Sequence, residues 1–490
     1  MNQEKMKKEN KITNNQKPAF LIWADGDENM IPVVQGLEKV GYKVIYWVGL
    51  PGKGIDSAQD AIFHHHENAW VGKPAEALKD KIWSPPGIPL IEKFYKLESV
   101  ILTMMHKRFD ALGVDARRHL YYQMLGYWDT VFQMFKPEAI VFPTVPHTVY
   151  NYIIYELAKF YGIKTVMFED TWVGDRMLLY TDWVKGSSAF QGAIKKNLGR
   201  VRKENLSPEL QEYFETQTKT QRADATPIYM THWKKQNSKW NQFLKKLKNA
   251  KGAIQSGTFF KRAFSFALKI GKPTLKTEYE ALTKNPDLNI PFVYVPLGFQ
   301  PERTTSPQGD VYVDQILMIE TIAKALPEGY KVYVKEHPSQ WWLRTGTRYN
   351  SARYPGYYRT IASIPNVILV PIHTNSFNLI LNSKAVGVVT GTAGFEAILR
   401  GKSVLLFGYP WYRDYPDLFR IKDVESVREA LIKIKNGFAP KESTTLSFLK
   451  ALEDSCIRGY IEGFVDKISK LSKSESRKNI VEAMINELTL

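Results

Sequence analysis

The first patterned part of the chain is a short apolar run, a segment of helical spacing and a second apolar run. Residues 18–23 and 43–48 read as strands, and residues 30–40 between them repeat apolar side chains at helical spacing. This β-α-β succession predicts a parallel sheet. The pattern returns in residues 136–168, where a strand, a helix and another strand follow each other. We therefore expect a Rossmann-like first domain.

Polar residues with candidate chemistry follow directly after one apolar run of the second half. Residues 332–334 are β-branched or aromatic, and Lys335, Glu336 and His337 come next. In an open α/β sheet, groups at the carboxyl ends of strands face the ligand crevice. A lysine and a histidine in that position favour an anionic ligand. A histidine that only caps a strand end is the plainer alternative.

A glycine-rich turn follows another apolar run. Residues 385–390 predict a buried strand, residues 391–394 a tight turn, and residues 395–399 the first turns of a helix. A turn of this kind presents free backbone N–H groups and the positive end of the helix dipole to a phosphate. Glu396, expected in the first helical turn, is placed to accept hydrogen bonds from ribose hydroxyls. A Gly-rich turn alone is a weak signal, because such turns are also formed for steric reasons.

The pattern divides the chain into five parts. We expect a disordered tail (1–17), a Rossmann-like domain (18–190), a basic and mainly helical interdomain region (191–289), a second Rossmann-like domain (290–440) and C-terminal helices (441–490). A length of 490 residues agrees with two separate cores.

Composition and charge limit the classes of ligand and site that we expect. The net charge of +17 favours an anionic partner: a nucleotide sugar, an anionic glycan, acidic lipid or nucleic acid. The single cysteine, Cys456, excludes an internal disulfide framework and a cysteine-rich zinc site. No apolar run is long enough for a membrane span, and the polar first 17 residues do not resemble a signal peptide. We expect a cytoplasmic protein.

Residues 232–276 carry twelve lysines and arginines with no acidic residue, and aromatic side chains are interleaved among them. Such a segment favours contact with an anionic membrane surface or with single-stranded nucleic acid. The alternative is a pair of helices with solvated lysines on the outer face. Nucleic acid is disfavoured, because no recognition module accompanies the charge.

The first half carries a carboxylate pair and a histidine at predicted strand ends. Glu169 and Asp170 follow the strand of residues 164–168, and His147 follows the strand of residues 136–142. One carboxylate serves as a nucleophile or base in some transferases. In the plainer alternative one of them caps the next helix and the other pairs with Arg176.

Two patterns resemble metal sites, but we expect neither of them to bind a metal ion. Three adjacent histidines, His64, His65 and His66, point in alternating directions in an extended chain, and we expect a solvated loop or mixed burial for them. Asp25 and Asp27 form an Asp-x-Asp pattern in the first strand-end loop, where we expect a loop or helix cap. No metal site is expected.

The order of short motifs carries a family resemblance. The segments QPERTT, VDQ, KEHP, GTAGFEAILRGK and FGYPWY lie in this order within residues 291–412. Together they resemble the C-terminal half of the Kdo transferases of bacterial capsule and lipopolysaccharide synthesis, retaining glycosyltransferases that use CMP-Kdo. A weaker echo lies in residues 137–170. The His-Pro and Gly-Thr-x-Gly-x-Glu patterns also resemble, more loosely, the CDP-glycerol glycerophosphotransferases of teichoic acid synthesis.

The resemblance implies a fold, a reaction and a site. The fold would be α/β of the GT-B type, with two Rossmann-like domains facing a central crevice. The reaction would transfer Kdo or a related ulosonic acid from its CMP-activated form to a surface polysaccharide precursor, with no further cofactor. That family has a Glu-Asp-Gly segment in which the Asp is the nucleophile. Here Glu169 and Asp170 match it, but Thr171 replaces the Gly, so the choice between the two carboxylates stays open.

The remaining site residues follow from the same resemblance. The phosphate would be bound by Lys335, His337, Thr392 and the amides after Gly391, and the ribose by Glu396. Gln300, Glu302 and Gln315 would contact the sugar or the cytosine, and His147 would lie on the acceptor side. A lipid-linked acceptor would place the protein peripherally at the inner face of the membrane. The alternatives are a CDP-glycerol-type transferase and a non-catalytic protein that binds anionic glycan or membrane during assembly.

Overall fold

The protein forms two domains, each built on a mainly parallel sheet. A computed structural model describes residues 16–81, 83–219, 240–241, 274–301, 305–341, 348–461, 465 and 469–490. The basic residues 232–276 and the site candidate Glu302 lie largely or wholly outside these ranges.

The first sheet contains seven strands in the described residues. They are β1 (Lys17–Ile22), β2 (Tyr42–Gly49), β3 (Ile62–His65), β4 (Ala139–Val141), β5 (Lys164–Asp170), β6 (Arg176–Tyr180) and β13 (Ile457–Arg458). The order is β13-β6-β5-β4-β1-β2-β3. Strands β1 to β5 pair in parallel, whereas β6 and β13 are antiparallel.

The second sheet contains six parallel strands in the part of the chain that the structure describes. They are β7 (Phe292–Pro296), β8 (Lys331–Lys335), β9 (Val367–Leu369), β10 (Ala385–Val388), β11 (Ser403–Leu406) and β12 (Phe419–Arg420). The order is β12-β11-β10-β7-β8-β9. In both sheets the strand order reverses beside the first strand, as in doubly wound dinucleotide-binding folds.

Helices join the strands and cover the sheets. The first domain contains α1 (Ile31–Lys39), α2 (His66–Trp70), α3 (Ile88–Lys93), α4 (Tyr95–Met104), α5 (Val114–Phe135), α6 (Val149–Phe160), α7 (Ser188–Asn197) and α8 (Pro208–Lys219). The second part of the chain contributes α9 (Leu275–Leu282), α10 (Thr305–Gln308), α11 (Gln315–Ala325), α12 (Tyr357–Ser363), α13 (Ser376–Asn382), α14 (Thr392–Leu399), α15 (Val424–Lys435), α16 (Glu442–Ser455) and α17 (Lys473–Thr489). Short 3₁₀ turns occur at residues 28–30, 53–58, 76–78, 105–107, 203–205, 310–313 and 338–341.

The central strands are buried on both faces, which explains their continuous apolar sequences. All four residues of β10 and all three of β4 are buried. One apolar cluster joins the two domains, because Phe190 of α7 and Phe395 of α14 both pack against Phe448 of α16. The expected α/β protein with two Rossmann-like domains facing a crevice is confirmed by this topology.

The end of the chain returns to the first domain. Strand β13 pairs with β6, and α17 packs against α1. Asp27 accepts a hydrogen bond from the backbone N–H of Asn29 at 2.8 Å, and Lys473 of α17 lies 3.2 Å from its carboxylate. Asp27 is thus the helix cap that the sequence predicts.

The three adjacent histidines differ in burial, as expected. His64 is fully buried, with Nδ1 2.8 Å from Tyr46 Oη and Nε2 2.9 Å from the Lys73 carbonyl, whereas His65 and His66 are half-buried. Burial lowers the pKa of His64 to about 4, against the smaller upward effect of the Lys73 carbonyl.

Candidate functional site

The predicted catalytic residues of the first domain lie in one cleft at the carboxyl end of β5. It encloses about 340 Å³, part of it open to solvent, and one of its walls comes from the second domain. The residues that line it are Thr144, Val145, His147, Phe168, Glu169, Asp170, Trp172 and Gln308. The structure therefore brings together all three predicted residues, His147, Glu169 and Asp170, as expected from neighbouring parallel strands.

The two carboxylates lie on opposite faces of β5. Glu169 pairs with Leu178 of β6, and Asp170 pairs with Met177. Successive side chains of a strand alternate between faces, so Glu169 lies on the face of Tyr180 and Asp170 on the face of Phe168. Gln308 Nε2 of the second domain lies 3.4 Å from Glu169 Oε2, and this contact identifies the direction of the Glu169 side chain.

The alternative pairing of a carboxylate with Arg176 is wrong. The Arg176 guanidinium binds Glu209 of α8, with distances of 3.1 and 3.3 Å from its two terminal nitrogens. Glu209 also accepts a hydrogen bond from Arg458 at 2.8 Å. Arg176 therefore connects β6 to α8 and β13. Glu169 and Asp170 line the cleft instead.

The turn after β5 has an unusual backbone. Trp172 has a φ of +59°, a left-handed conformation that costs a non-glycine residue about 1 kcal/mol or more. The turn is closed by Thr171, whose N–H and hydroxyl both donate to the Arg176 carbonyl, at 3.1 and 2.7 Å. Trp172, in this left-handed conformation, is one of the residues that line the cleft.

Two side chains link the domains beside the cleft. Gln308 Nε2 lies 3.4 Å from Glu169 and 3.2 Å from the Tyr409 carbonyl. The Lys107 ammonium donates to the His147 carbonyl at 2.7 Å and to the Ser306 carbonyl at 3.4 Å. Neither Gln308 nor Lys107 could be predicted from the sequence, because neither belongs to a recognisable motif.

Lys335 is more deeply placed than expected. Its side chain is buried, and Nζ donates to the Thr374 carbonyl at 2.6 Å and to Ser376 Oγ at 2.7 Å. Desolvation lowers the pKa of Lys335 to about 8. Its positive charge lies directly beneath the β8 loop, and a direct phosphate contact stays a prediction.

His337 is half-buried at the start of the loop that follows β8. The Ser339 N–H donates to its Nδ1 at 3.2 Å, and its own N–H donates to Glu336 Oε1 at 2.7 Å. Because Nδ1 accepts, the neutral imidazole carries its proton on Nε2. In either protonation state Nε2 is a hydrogen-bond donor, as an anion requires.

The loop after β8 is held by Glu336, which sequence reasoning missed. Glu336 is fully buried, and its Oε2 accepts from Arg353 Nε at 3.0 Å and from Tyr358 Oη at 2.5 Å. The same arginine donates to the Gly298 carbonyl at 3.0 Å, so the pair also fixes the loop after β7. A buried charge requires such a complete set of partners.

The glycine-rich turn after β10 differs in detail from the expectation. Helix α14 begins at Thr392, so residues 392–394 form its first turn and Glu396 lies in the second. Gly391 is exposed at the N-cap, with its carbonyl 2.5 Å from Tyr412 Oη. Gly394 is sterically required, because a Cβ there would lie 2.4 Å from Tyr412 Oη. The expected tight turn is therefore a helix start.

The two glutamines predicted as donor ligands are buried, Gln300 in the loop after β7 and Gln315 at the start of α11. Gln300 Nε2 donates to Thr305 Oγ1 at 2.7 Å, and Gln315 Oε1 accepts from the Gly298 N–H at 2.9 Å. Gln315 Nε2 is buried and has no hydrogen-bond partner. Both side chains shape this loop, and their contact with a sugar or base stays a prediction.

The second-domain candidates surround the point where the strand order reverses. The loops after β8 and β10 lie on either side of the loop after β7, because β7 is the strand between them. A ligand crevice is expected at this position in a doubly wound sheet. His337 and Gly391 thus belong to neighbouring loops around one crevice, with the positive end of α14 directed into it.

The described residues were also compared with the requirements of a metal site and of a membrane-spanning helix, and they meet neither. No group of three or more histidine, cysteine, aspartate or glutamate side chains there has a metal-binding arrangement. Nor does any helix in those ranges combine the length and apolar character needed to cross a membrane.

The fold and the clefts define a GT-B-type protein, with two doubly wound domains whose strand ends face a common crevice. The family model described as "Capsule polysaccharide biosynthesis protein" matches residues 295–416, which lie within the second domain. Among curated proteins, the capsule polysaccharide modification protein LipA of Neisseria meningitidis serogroup B is 32% identical over 118 residues. That stretch is 22% of this chain and 16% of LipA, so the match spans a small part of the relative's length.

Solved structures show only distant similarity. The beta Kdo 2,4 transferase of Thermosulfurimonas dismutans KpsC is 15% identical with a TM-score of 0.30, and the alignment covers 64% of this chain and 79% of that chain. The beta Kdo 2,7 transferase of the same protein is 11% identical with a TM-score of 0.30, covering 73% and 88%. The MnaA-UDP structure of Staphylococcus aureus is 11% identical with a TM-score of 0.26, covering 97% and 98%. Scores this low carry no argument about function.

Proposed function

We propose that the protein is a glycosyltransferase of capsule or related surface polysaccharide synthesis. It would transfer Kdo or a related ulosonic acid from a CMP-activated donor, with retention of configuration. The observation that carries the proposal is the cleft that holds Glu169 and Asp170 against Gln308 of the second domain. The family match over residues 295–416 and the likeness to LipA support the polysaccharide context.

The donor nucleotide would occupy the second domain. The start of α14 would supply backbone N–H groups at Gly391 and Thr392, and His337 Nε2 would supply a further donor. Lys335 adds positive charge beneath the loop. Glu396, one turn into α14, would accept the ribose hydroxyls. These groups neutralise a phosphate without requiring a bound cation.

The sugar would extend from the nucleotide to the cleft of the first domain. A carboxylate there attacks the anomeric carbon, the bond to the CMP oxygen breaks, and the acceptor hydroxyl later displaces the carboxylate. Two inversions give net retention. We place Glu169 first for this step, because its carboxylate lies 3.4 Å from Gln308 Nε2 of the second domain. Asp170, favoured by the family resemblance, remains the competing candidate within the same cleft.

A lipid-linked or glycan acceptor would enter beside His147 and Trp172, which both line the cleft. Such an acceptor would favour a position at the inner face of the membrane. The basic residues 232–276 are the proposed membrane contact, and they lie largely outside the described residues.

A donor screen tests this function. The full chain is mixed with CMP-Kdo, CMP-sialic acid or CDP-glycerol, and release of CMP is followed with time. We expect CMP release from CMP-Kdo or a related ulosonic acid donor, accelerated by a polysaccharide acceptor. Turnover of CDP-glycerol alone would replace the proposal with the glycerophosphotransferase alternative. No release from any donor, with or without acceptor, would favour a binding protein.

A further inference from the structure

The segment that joins α4 to α5, together with the first turn of α5, contacts the second domain through three hydrogen bonds. The N–H of Ser351 donates to Asp110 Oδ1 at 2.9 Å, and Arg117 Nη2 donates to Ser351 Oγ at 3.0 Å. The Lys107 ammonium donates to the carbonyl of Ser306 at 3.4 Å. We call these three contacts the polar bridge between the domains.

The first-domain side of the polar bridge is held by its own hydrogen bonds. The Arg117 side chain is buried, and its guanidinium donates to the carbonyls of Phe109 and Asp110 at 3.1 and 3.0 Å. Lys107 donates to the carbonyl of His147, a residue of the cleft lining, at 2.7 Å. The first domain therefore positions these groups by itself, and the polar bridge borders the cleft.

On the second domain, one end of the polar bridge is connected to the proposed nucleotide loops. Ser351 and Arg353 lie in one turn, which is closed by the Asn350 side chain, whose Oδ1 accepts from the Arg353 N–H at 2.8 Å. Arg353 binds the buried Glu336 and the Gly298 carbonyl, both at 3.0 Å. The position of this turn is therefore coupled to the loops after β7 and β8.

The other end of the polar bridge lies next to the catalytic cleft. Ser306 and Gln308 both belong to α10. Gln308 lines the cleft, and its amide nitrogen is 3.4 Å from Glu169 Oε2. The polar bridge thus connects the first domain to both parts of the second domain that the proposed reaction uses.

A second joint between the domains has a different character. There Phe190, Phe395 and Phe448 pack together in a buried apolar cluster. Apolar packing is non-directional, so it tolerates a small rotation of the partners. Hydrogen bonds depend on distance and angle, and those of the polar bridge compete with water because Asp110 is exposed and Ser351 is half-buried. The two joints therefore differ in how easily they break.

We propose that the polar bridge fixes the width of the crevice, and that Asp110 and Arg117 are positioning residues for sugar transfer. The inference rests on the proposed function, because it concerns the alignment of that reaction's donor. With the bridge formed, the nucleotide loops of the second domain lie at a set distance from Glu169. Without it, the domains turn about the apolar joint, so the nucleotide still binds but the anomeric carbon moves out of reach of the nucleophile.

Double electron–electron resonance measures the width of the crevice without turnover. Spin labels are attached at Lys96→Cys in α4 and Thr360→Cys in α12, both exposed positions, in the full chain carrying Cys456→Ser. Asp110→Ala removes the acceptor of the Ser351 N–H, and we expect the distance between the labels to lengthen by more than about 2 Å. Asp110→Asn keeps an acceptor oxygen and should restore the distance of the labelled parent.

Asp115→Ala is the matched control. The Asp115 side chain is 97% exposed, and its ion pair with Arg118, at 3.1 Å, lies within α5. The substitution removes the same charge as Asp110→Ala while the polar bridge stays intact. The label distance should therefore equal that of the labelled parent.

CMP affinity and kcat separate a positioning role from a binding role. We expect Asp110→Ala to change CMP affinity, measured by calorimetry, by less than about twofold, and to lower kcat with the donor identified by the screen about tenfold to a hundredfold. A large loss of CMP affinity would assign the polar bridge to the nucleotide site and overturn the positioning role.

The label distances decide the proposal. An unchanged distance in Asp110→Ala overturns it, and so does an equal lengthening in Asp115→Ala, which would indicate an effect of charge alone. An equal lengthening in Asp110→Asn would contradict the hydrogen bond from Ser351 as the cause. Failure of the donor screen leaves these distances unchanged, so the two proposals fail separately.

Discussion

The loops after β8 and β5 are held in shape by different means. After β8, the buried Glu336 is bound by Arg353 and Tyr358, and the same arginine ties down the loop after β7. After β5, the chain turns through Trp172 in a left-handed conformation, and the carboxylates line a cleft. The loop after β8 is thus fixed by a buried ion pair, whereas the turn after β5 holds its conformation at a cost in backbone strain.

Breaking the Glu336–Arg353 pair should have the largest effect on stability. Arg353→Met leaves a buried carboxylate without its main partner, and we expect a loss of about 3–5 kcal/mol in the free energy of unfolding. Urea unfolding measures it. Arg428→Met, which breaks an exposed pair with Glu425, is the control and should change stability by less than about 1 kcal/mol. Equally small losses in both variants would show that the buried Glu336–Arg353 pair contributes no more to stability than an exposed ion pair does.

Acid should destabilise the first domain through His64. The unfolded chain binds a proton near pH 6.5, whereas burial lowers the folded pKa to about 4. Stability is therefore complete above pH 6.5 and falls as the pH is lowered toward 4, by about 3 kcal/mol at most. Unfolding of the first domain, followed by hydrogen exchange at pH 7 and pH 5, measures this. His64→Gln should flatten the pH dependence, and an unchanged slope would contradict the account.

Nucleotide affinity should depend on the β8 loop and on α14. His337→Ala and Glu396→Ala are each expected to weaken CMP binding by about 1–3 kcal/mol, as for the loss of a hydrogen bond to a charged group. Affinity should also decrease as the pH rises through 8, because Lys335 then loses its charge. Calorimetry measures both. Unchanged CMP affinity in both variants would place the nucleotide elsewhere.

Because Trp172 is strained, a glycine at this position should be less destabilising than an alanine, which is the reverse of the usual order. Trp172→Gly and Trp172→Ala remove the same indole contacts, but only glycine adopts a φ of +59° freely. We expect the glycine variant to be more stable by about 1 kcal/mol. At Lys195, an exposed position within α7, the order should be the opposite, with alanine more stable by about 1 kcal/mol. The same order at both positions would contradict strain in the turn after β5.

The sequence predicts more of the fold than of the site's architecture. Alternating strand and helix patterns indicate two doubly wound domains, and strand-end positions place His147, Glu169 and Asp170 in one cleft. The role of Glu336 was not predictable, because Arg353 lies 17 residues away and no local pattern joins them. The start of α14 at Thr392 was also missed, because glycines read as a turn although Gly394 is required by packing against Tyr412.

The face of the sheet on which each carboxylate lies also could not be predicted, because it follows from the pairing of β5 with β6. A strand continuing through Asp170 puts Glu169 and Asp170 on opposite faces, but the sequence does not show which face meets the second domain. The pairing of Glu169 with Leu178 and the contact with Gln308 give Glu169 that face. A contact between residues 139 positions apart has no local sequence signal.

The most direct test of the central claim is intact-protein mass spectrometry after mixing with CMP-Kdo. We predict a covalent sugar adduct on one carboxylate of the pair, Glu169 by its geometry, mapped by peptide analysis. Replacing that residue, by Glu169→Gln or Asp170→Asn, should abolish the adduct and lower turnover roughly a thousandfold or more, with CMP affinity unchanged. Near-normal turnover in both variants would contradict the account and place the nucleophile outside this cleft.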